Sequence, residues 1–181
     1  VRVVITDGTQ PVGRRIGPAL EARDVLAVLQ GAPGAPRDLR DRAAHLAAEI
    51  LEMANKAAAG AGITLARAIL DDGRAWRKFQ AICESQGGMR VPPRAAHTEV
   101  VTATRAGTVK LIDNRRLARI AKLAGAPTSP AAGLELHSPV GTTVERNQPL
   151  FTVHSEAPGE LAYALAYVAA NPAIFHIEEP S

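Results

Sequence analysis

Residues 7–18, DGTQPVGRRIGP, hold the pattern closest to a binding loop. Gly8, Gly13 and Gly17 give the backbone freedom, Pro11 and Pro18 stop regular pairing, and Arg14-Arg15 bring two cations next to the start of a helix. Glycine turns expose N–H groups and a helix N-terminus carries partial positive charge, so the loop has the ingredients of an anion site. No Gly-Lys-Ser/Thr follows, and the spacing of the three glycines does not match the dinucleotide fingerprint. The competing reading is a turn whose work is to carry a strand into a helix.

Other chemistry-bearing residues are more scattered. Arg115, Arg119 and Lys122 share one face of a helix expected at 114–124, opposite Leu117, Ile120 and Ala121, and either touch phosphates or form a solvated face. The five histidines, 45, 97, 137, 154 and 176, include no HExxH or His-x-His arrangement, although His137 and His154 can approach each other across strands. Cys83 is the only cysteine. It lies in a helical stretch near Trp76 and Phe79 with no local group to activate a thiolate, which reads as a buried structural thiol. One cysteine excludes an intramolecular disulfide framework and any multi-cysteine metal site, and a reducing cytoplasm fits best. Tyr163 and Tyr167, at i and i+4, read as packing residues.

The composition sets the frame for these candidates. The chain has 181 residues, 46% hydrophobic and 22% charged, with a net charge of +3. Such values fit one large or two small core-forming domains. The basic excess falls in residues 1–94, without a dense stripe, and the only aromatics are Trp76, Phe79, Phe151, Tyr163, Tyr167 and Phe175, most of which read as core. That is poor support for a nucleic-acid module, which needs a basic stripe and exposed rings for stacking. No apolar run approaches the ~20 residues that span a bilayer, and no leader with a small-residue cleavage site opens the chain, so no membrane partner is expected. Residues 1–6, VRVVIT, begin without methionine on an alternating β-branched run, which reads as a strand already under way in a longer protein.

The elements that must position the candidates follow from periodicity. After the expected strand at 1–6 and loop at 7–18, helices are expected at 18–30, from Asp38 to about 57, over LARAILDD and over RAWRKFQAICESQ. Leu39, Ala43, Leu46, Ile50 and Met53 are spaced as one buried face, with Asp38 and Thr64 as candidate caps of the second and third helices. One strand with four helices has nothing to pair with, so residues 1–88 look incomplete alone. Residues 89–96, with Pro92-Pro93, read as a stiff linker. Beyond it strands are expected at 98–104, 107–112, 133–138, 149–155 and 173–178, with helices at 114–124 and 159–170. Two glycine-led segments, Gly107-Thr108-Val109 and Gly141-Thr142-Thr143-Val144, are loosely alike.

The run ITDGTQPVGRRIGPALEARDVLAVLQG, then GRAWRKFQAICESQGG, VTATRAGTVKLIDNRRLARIAKLAGAP and GLELHSPVGTTVERNQPLFTVHSE, resembles the C-terminal part of the thymidine and pyrimidine nucleoside phosphorylases. The match covers nearly the whole chain in long, collinear blocks. TDG and GPALEARDVL look closest to the branch that contains AMP phosphorylase and the bacterial proteins named putative thymidine phosphorylase. The resemblance implies an α/β (α+β) chain: residues 1–88 as the helical remainder of a truncated α/β lobe, and residues 97–181 as a C-terminal α/β-hammerhead domain related to barrel-sandwich folds. It implies a parent pentosyltransferase of pyrimidine nucleoside metabolism, homo-oligomeric and cytoplasmic, that cleaves a pyrimidine nucleoside or nucleoside monophosphate with phosphate. The products are free base and (deoxy)ribose 1-phosphate.

The family's phosphate loop and its base-holding groups belong to parts of the pattern upstream of Val1, so no catalytic residue is assigned and the chain alone is expected to be inactive. No organic cofactor is required, and phosphate is co-substrate of the parent. In the family a monovalent cation is held by loop carbonyls and a helix carboxylate, which by alignment are the carbonyls of Val12 and Arg15 and the side chain of Asp24. Aspartate stands where classical members have glutamate, and the competing reading of Asp24 is a solvated mid-helix carboxylate. The alternative from another class is a freestanding biotinyl- or lipoyl-like carrier or interaction module, which would need a lysine at a hairpin tip. Lys110 falls in an expected strand and Lys122 in an expected helix.

Overall fold

The computed structural model describes residues 2–178. In chain order the elements are β1 (Arg15–Ile16), α1 (Pro18–Leu29), α2 (Arg37–Met53), α3 (Gly62–Asp71), α4 (Arg74–Ser85), β2 (His97–Thr102), β3 (Gly107–Ile112), α5 (Asn114–Leu123), β4 (Gly133–Leu136), β5 (Thr143–Val144), β6 (Pro149–Ser155), α6 (Pro158–Ala170), a 3₁₀ turn at Pro172–Ile174 and β7 (Phe175–Glu178). They form two compact units, Val1–Thr6 with Arg23–Val91, and Asp7–Ala22 with Pro92–Ser181. Residues 7–22, read in the sequence with what precedes the linker, pack instead with residues that follow it. Helix α1 therefore starts in the second unit and ends in the first.

The first unit is helical. The alternating run expected as a strand at 1–6 forms none over its described residues, and Val3 and Ile5 are 81% and 94% exposed. Alternation suits a strand, but a strand also needs a neighbour for its N–H and C=O groups, and among the described residues none pairs there. Helix α2 differs from expectation in the face it buries. Ala44 and Ala48 are buried, as are Gly62 and Ala66 of α3, and a Cβ added to Gly62 would lie 2.5 Å from the Ala48 carbonyl oxygen. Small residues let the two backbones approach, so the alanine seam takes the contact, while Leu46, Ile50 and Met53 stay exposed, Ile50 at 66%. Arg40 of α2 also pairs with Asp71 of α3. The caps differ too: Pro36 and Ala61 precede α2 and α3 without a side-chain cap, with Asp38 in the first turn of one helix and Thr64 inside the other. On α4 Trp76 and Phe79 stack with ring centroids 6.1 Å apart, and these rings and Cys83 are half-buried rather than core.

One carboxylate ties the α2–α3 turn together. Glu52 accepts hydrogen bonds from the backbone N–H groups of Gly60 (2.9 Å) and Gly62 (3.0 Å), and Arg2 Nη1 stands 3.5 Å from its other oxygen. The Gly62 N–H is the chief cause that holds the carboxyl below its ordinary 4.5, with Gly60 and Arg2 adding to it against the opposing effect of desolvation. A folded-state value lowered in this way gives stability that is complete above the unfolded value and lost as pH falls through the folded one. Amide exchange at Gly60 and Gly62 is therefore expected to accelerate relative to α5 as pH is taken below 4.5. Glu52→Gln should flatten that dependence; a profile that keeps its slope in Glu52→Gln would assign it to another group.

The second unit is α+β. Its four-stranded sheet runs in the order β1-β4-β6-β2 and its three-stranded sheet in the order β5-β3-β7, with every pairing antiparallel. The expected strands and both expected helices are present, each within a few residues of its expected bounds. Leu117 and Ile120 of α5, Ala164 of α6, and Val109, Leu134, Phe151 and Val153 of the sheets belong to one buried cluster. Phe151 of the first sheet and Phe175 of the second stack with centroids 5.6 Å apart and planes 12° apart, so one ring pair links the sheets across the core. The two glycine-led segments pair with each other, Gly107 opposite Val144 and Thr108 opposite Thr143.

Strand β1, inside the stretch expected to be loop, is held by a mutual backbone approach. Gly17 has φ +125° and Gly133 has φ +149°. A Cβ on Gly17 would sit 2.3 Å from the Ala132 carbonyl oxygen, and one on Gly133 would sit 1.9 Å from that of Ile16. Neither position accommodates a side chain.

Candidate functional site

The glycine-rich stretch 7–17 is stitched residue by residue to the rest of the second unit. Asp7 closes the first turn by accepting from the backbone N–H and hydroxyl of Thr9, at 2.9 and 3.0 Å. The Gly8 carbonyl accepts from Asn114 Nδ2 at 2.9 Å, and Gln10 Oε1 accepts from the Val140 N–H at 2.8 Å. The Arg14 carbonyl accepts from the Leu136 N–H at 2.6 Å, extending the β1–β4 ladder. At the start of α1 the Gly17 N–H donates to Glu21 Oε1 at 3.0 Å, and the Ala19 N–H donates to the Pro130 carbonyl at 2.9 Å.

These bonds bear on the two readings of the loop. A helix N-terminus attracts an anion through N–H groups that lack partners. Here Glu21 and Pro130 engage two donors at the entry to α1, and in these bonds the loop acts as a brace. The paired arginines are also divided in their work. Arg15 Nη2 lies 2.5 Å from Glu135 Oε1, and both side chains are about three-quarters buried. Arg14 is exposed and contributes its backbone to the ladder.

Glu135 is the residue that sequence reasoning missed. It joins Arg15, 120 positions earlier, to His154, whose Nε2 is 3.8 Å from Glu135 Oε2. Strand pairing places Arg15 opposite Glu135, and Glu135 opposite Thr152 two residues before His154, so all point from one face of the four-stranded sheet. His137 does not join His154: its Nε2 shares a 2.7 Å hydrogen bond with the Thr152 hydroxyl. Glu52 was missed as well, because the Gly60 and Gly62 N–H groups it accepts from are backbone donors that carry no side-chain motif.

Asp24 lies on α1 at 2% exposure, which excludes the solvated mid-helix reading. Among the described residues, no group of three or more His, Cys, Asp or Glu side chains could hold a metal ion. Arg115, Arg119 and Lys122 are exposed on α5 while Leu117, Ile120 and Ala121 are buried, the amphipathic division expected of this helix. Tyr163 is exposed, contrary to the packing expected of it, and Tyr167 is half-buried against the core. Lys110 is in β3 and Lys122 in α5, neither at a hairpin tip, so the carrier chemistry has no lysine where it needs one. No helix among the described residues is long and apolar enough to cross a membrane.

Residues 108–174 match the family model described as the pyrimidine nucleoside phosphorylase C-terminal domain. The chain is 64% identical over 175 residues to "Putative thymidine phosphorylase 2" of Acidovorax sp. (strain JS42), an alignment that covers 97% of this chain and 34% of that protein. It is 61% identical over 179 residues to "Putative thymidine phosphorylase" of Polaromonas sp. (strain JS666 / ATCC BAA-500), covering 99% and 35%. Against the protein of the same name from Legionella pneumophila (strain Paris) it is 60% identical over 164 residues, covering 91% and 32%. The chain thus spans about a third of the length of these curated relatives.

Proposed function

With residues 108–174 belonging to the pyrimidine nucleoside phosphorylase C-terminal domain family, and nearly the whole chain similar to thymidine phosphorylase relatives, we propose that this chain works as the C-terminal part of a longer nucleoside phosphorylase. The observation that carries the reading is identity near 60% sustained over more than nine-tenths of the chain. The reaction is phosphorolysis of a pyrimidine nucleoside or nucleoside monophosphate. A phosphate oxygen forms a bond to the anomeric carbon, the bond from that carbon to the base nitrogen breaks, and the base leaves with the electron pair and takes up a proton. The sugar of a nucleoside becomes a (deoxy)ribose 1-phosphate, and that of a nucleoside monophosphate, which keeps its own phosphate, a bisphosphate.

Such a transition state has oxocarbenium character and asks for groups that hold phosphate in line and for a donor to the leaving base. The candidates of this chain are spent on structure: Arg15 on Glu135, the α1 N–H donors on Glu21 and Pro130. Its contribution is therefore support. The brace at 7–22 fixes where α1 begins, and the sheet unit holds the brace. The same reading gives Asp24 to a monovalent cation. A carboxylate at 2% exposure is an oxygen donor of the type a hard cation takes.

The test is phosphate-dependent release of free base from thymidine, uridine and AMP, with this chain and the longer protein assayed side by side. The longer protein is expected to turn over one of these substrates and the 181-residue chain none. Turnover by the chain itself would overturn the supporting role, and no turnover by either would overturn the phosphorylase reading. An unchanged rate when potassium is replaced by tetramethylammonium would remove the cation from Asp24.

A further inference from the structure

The second unit contains a cleft of about 550 Å³ that none of the preceding chemistry uses. It opens between the end of β2 with the turn that follows, and the end of α6 with the turn into β7. Its floor is the stacked pair Phe151 and Phe175, and Val101 and Val168 form walls. A volume in the ligand-binding range, apolar walls and a few polar groups are the attributes of a small-molecule site.

The rim gives the site its sign. Arg105 lines the mouth, is exposed, and makes no ion pair or hydrogen bond among the described residues. None of the described lining residues is acidic. The hydroxyls of Thr102 and Thr104 and the amide of Asn171 add hydrogen-bonding groups beside it. His176 also lines the cleft and lies 3.4 Å from Glu178. An apolar floor with one free guanidinium at the mouth suits a molecule that is apolar at one end and anionic at the other. A guanidinium meets a carboxylate or phosphate through paired N–H donors, and a cationic head would meet it with repulsion.

We propose that this cleft binds a small amphipathic anion, its apolar body against Phe151 and Phe175 and its carboxylate or phosphate head on Arg105. The probes are octanoate, octyl phosphate, octanol and octylammonium, titrated into the full chain and into Arg105→Gln, with methyl resonances of Val101, Val168 and Ile174 as the readout. One or both anions are expected to shift these methyls saturably in the millimolar range. Arg105→Gln, an exposed substitution, is expected to weaken that binding about tenfold and to leave octanol unchanged. The octanoate and octyl phosphate arms tell a carboxylate ligand from a phosphate one. Ala169→Trp, at an exposed position of the cleft wall, should abolish the shifts while thermal unfolding stays as in the parent chain. The proposal is overturned if neither anion saturates these methyls, if octylammonium binds as well as the anions, or if Arg105→Gln leaves both anions unaffected.

Discussion

Gly133→Ala is expected to destabilise the second unit by about 3 kcal/mol or more, a drop in its melting temperature of roughly 10–20 °C. The new Cβ would sit 1.9 Å from the Ile16 carbonyl oxygen and 3.0 Å from Leu20 Cδ1, at φ +149°. The first of these neighbours is backbone in the adjacent strand, so relief requires β1 to separate from β4 and the Ala19–Pro130 and Arg14–Leu136 hydrogen bonds to stretch. Gly141→Ala is the matched control. Gly141 also has a positive φ, +90°, but nothing lies within 4 Å of its built Cβ, so the change should cost only about 1 kcal/mol, the conformational part. Equal losses in the two variants, read as denaturation midpoints, would show that conformation alone matters and that β1 yields freely.

The second large effect is expected from Phe151→Ala, at about 3–5 kcal/mol. Phe151 is 1% exposed, and its ring is stacked on Phe175 of the other sheet, so truncation removes buried area and the one ring pair observed across the core. Phe151→Leu restores most of the volume without the ring and should lose about a third as much. A loss below about 1 kcal/mol for the alanine variant would mean that the sheets close over the gap, contrary to close packing at this point.

The first unit makes a different point about exposure. Val3, Ile5, Val25, Leu46, Ile50, Met53, Ile82, Met89 and Val91 are all exposed there, against Val100, Leu111 and Tyr163 in the second unit. Surface of that kind favours association.

Much of the second unit was legible because its periodicities are local. The 107–112 and 149–155 strands and the amphipathic α5 follow from patterns of alternate or 3.6-spaced apolar residues, which report the environment of each face without reference to partners. Resemblance carried further, since long collinear blocks can be read without coordinates, and the pyrimidine nucleoside phosphorylase domain at 108–174 is the outcome. The candidate loop was found but its work was not. What the Ala19 N–H, the Arg14 carbonyl, the Gln10 amide and the Arg15 guanidinium engage depends on Pro130, Leu136, Val140 and Glu135, more than 100 residues away.

The sequence by itself determined the resemblance to the phosphorylase C-terminal part, the places of the helices and of the longer strands, and the amphipathic division of α5, because those rest on composition, local period and linear motif. Only the tertiary structure decided which seam of α2 is buried, since Ala48 meets Gly62 and leaves Ile50 outside. It alone decided that the described residues 2–6 form no strand and that 15–16 does, because a strand exists only where a second backbone lies within hydrogen-bonding distance. It also showed the bracing work of the loop, because the partners of the Gly17 and Ala19 N–H groups are a property of what folds against them.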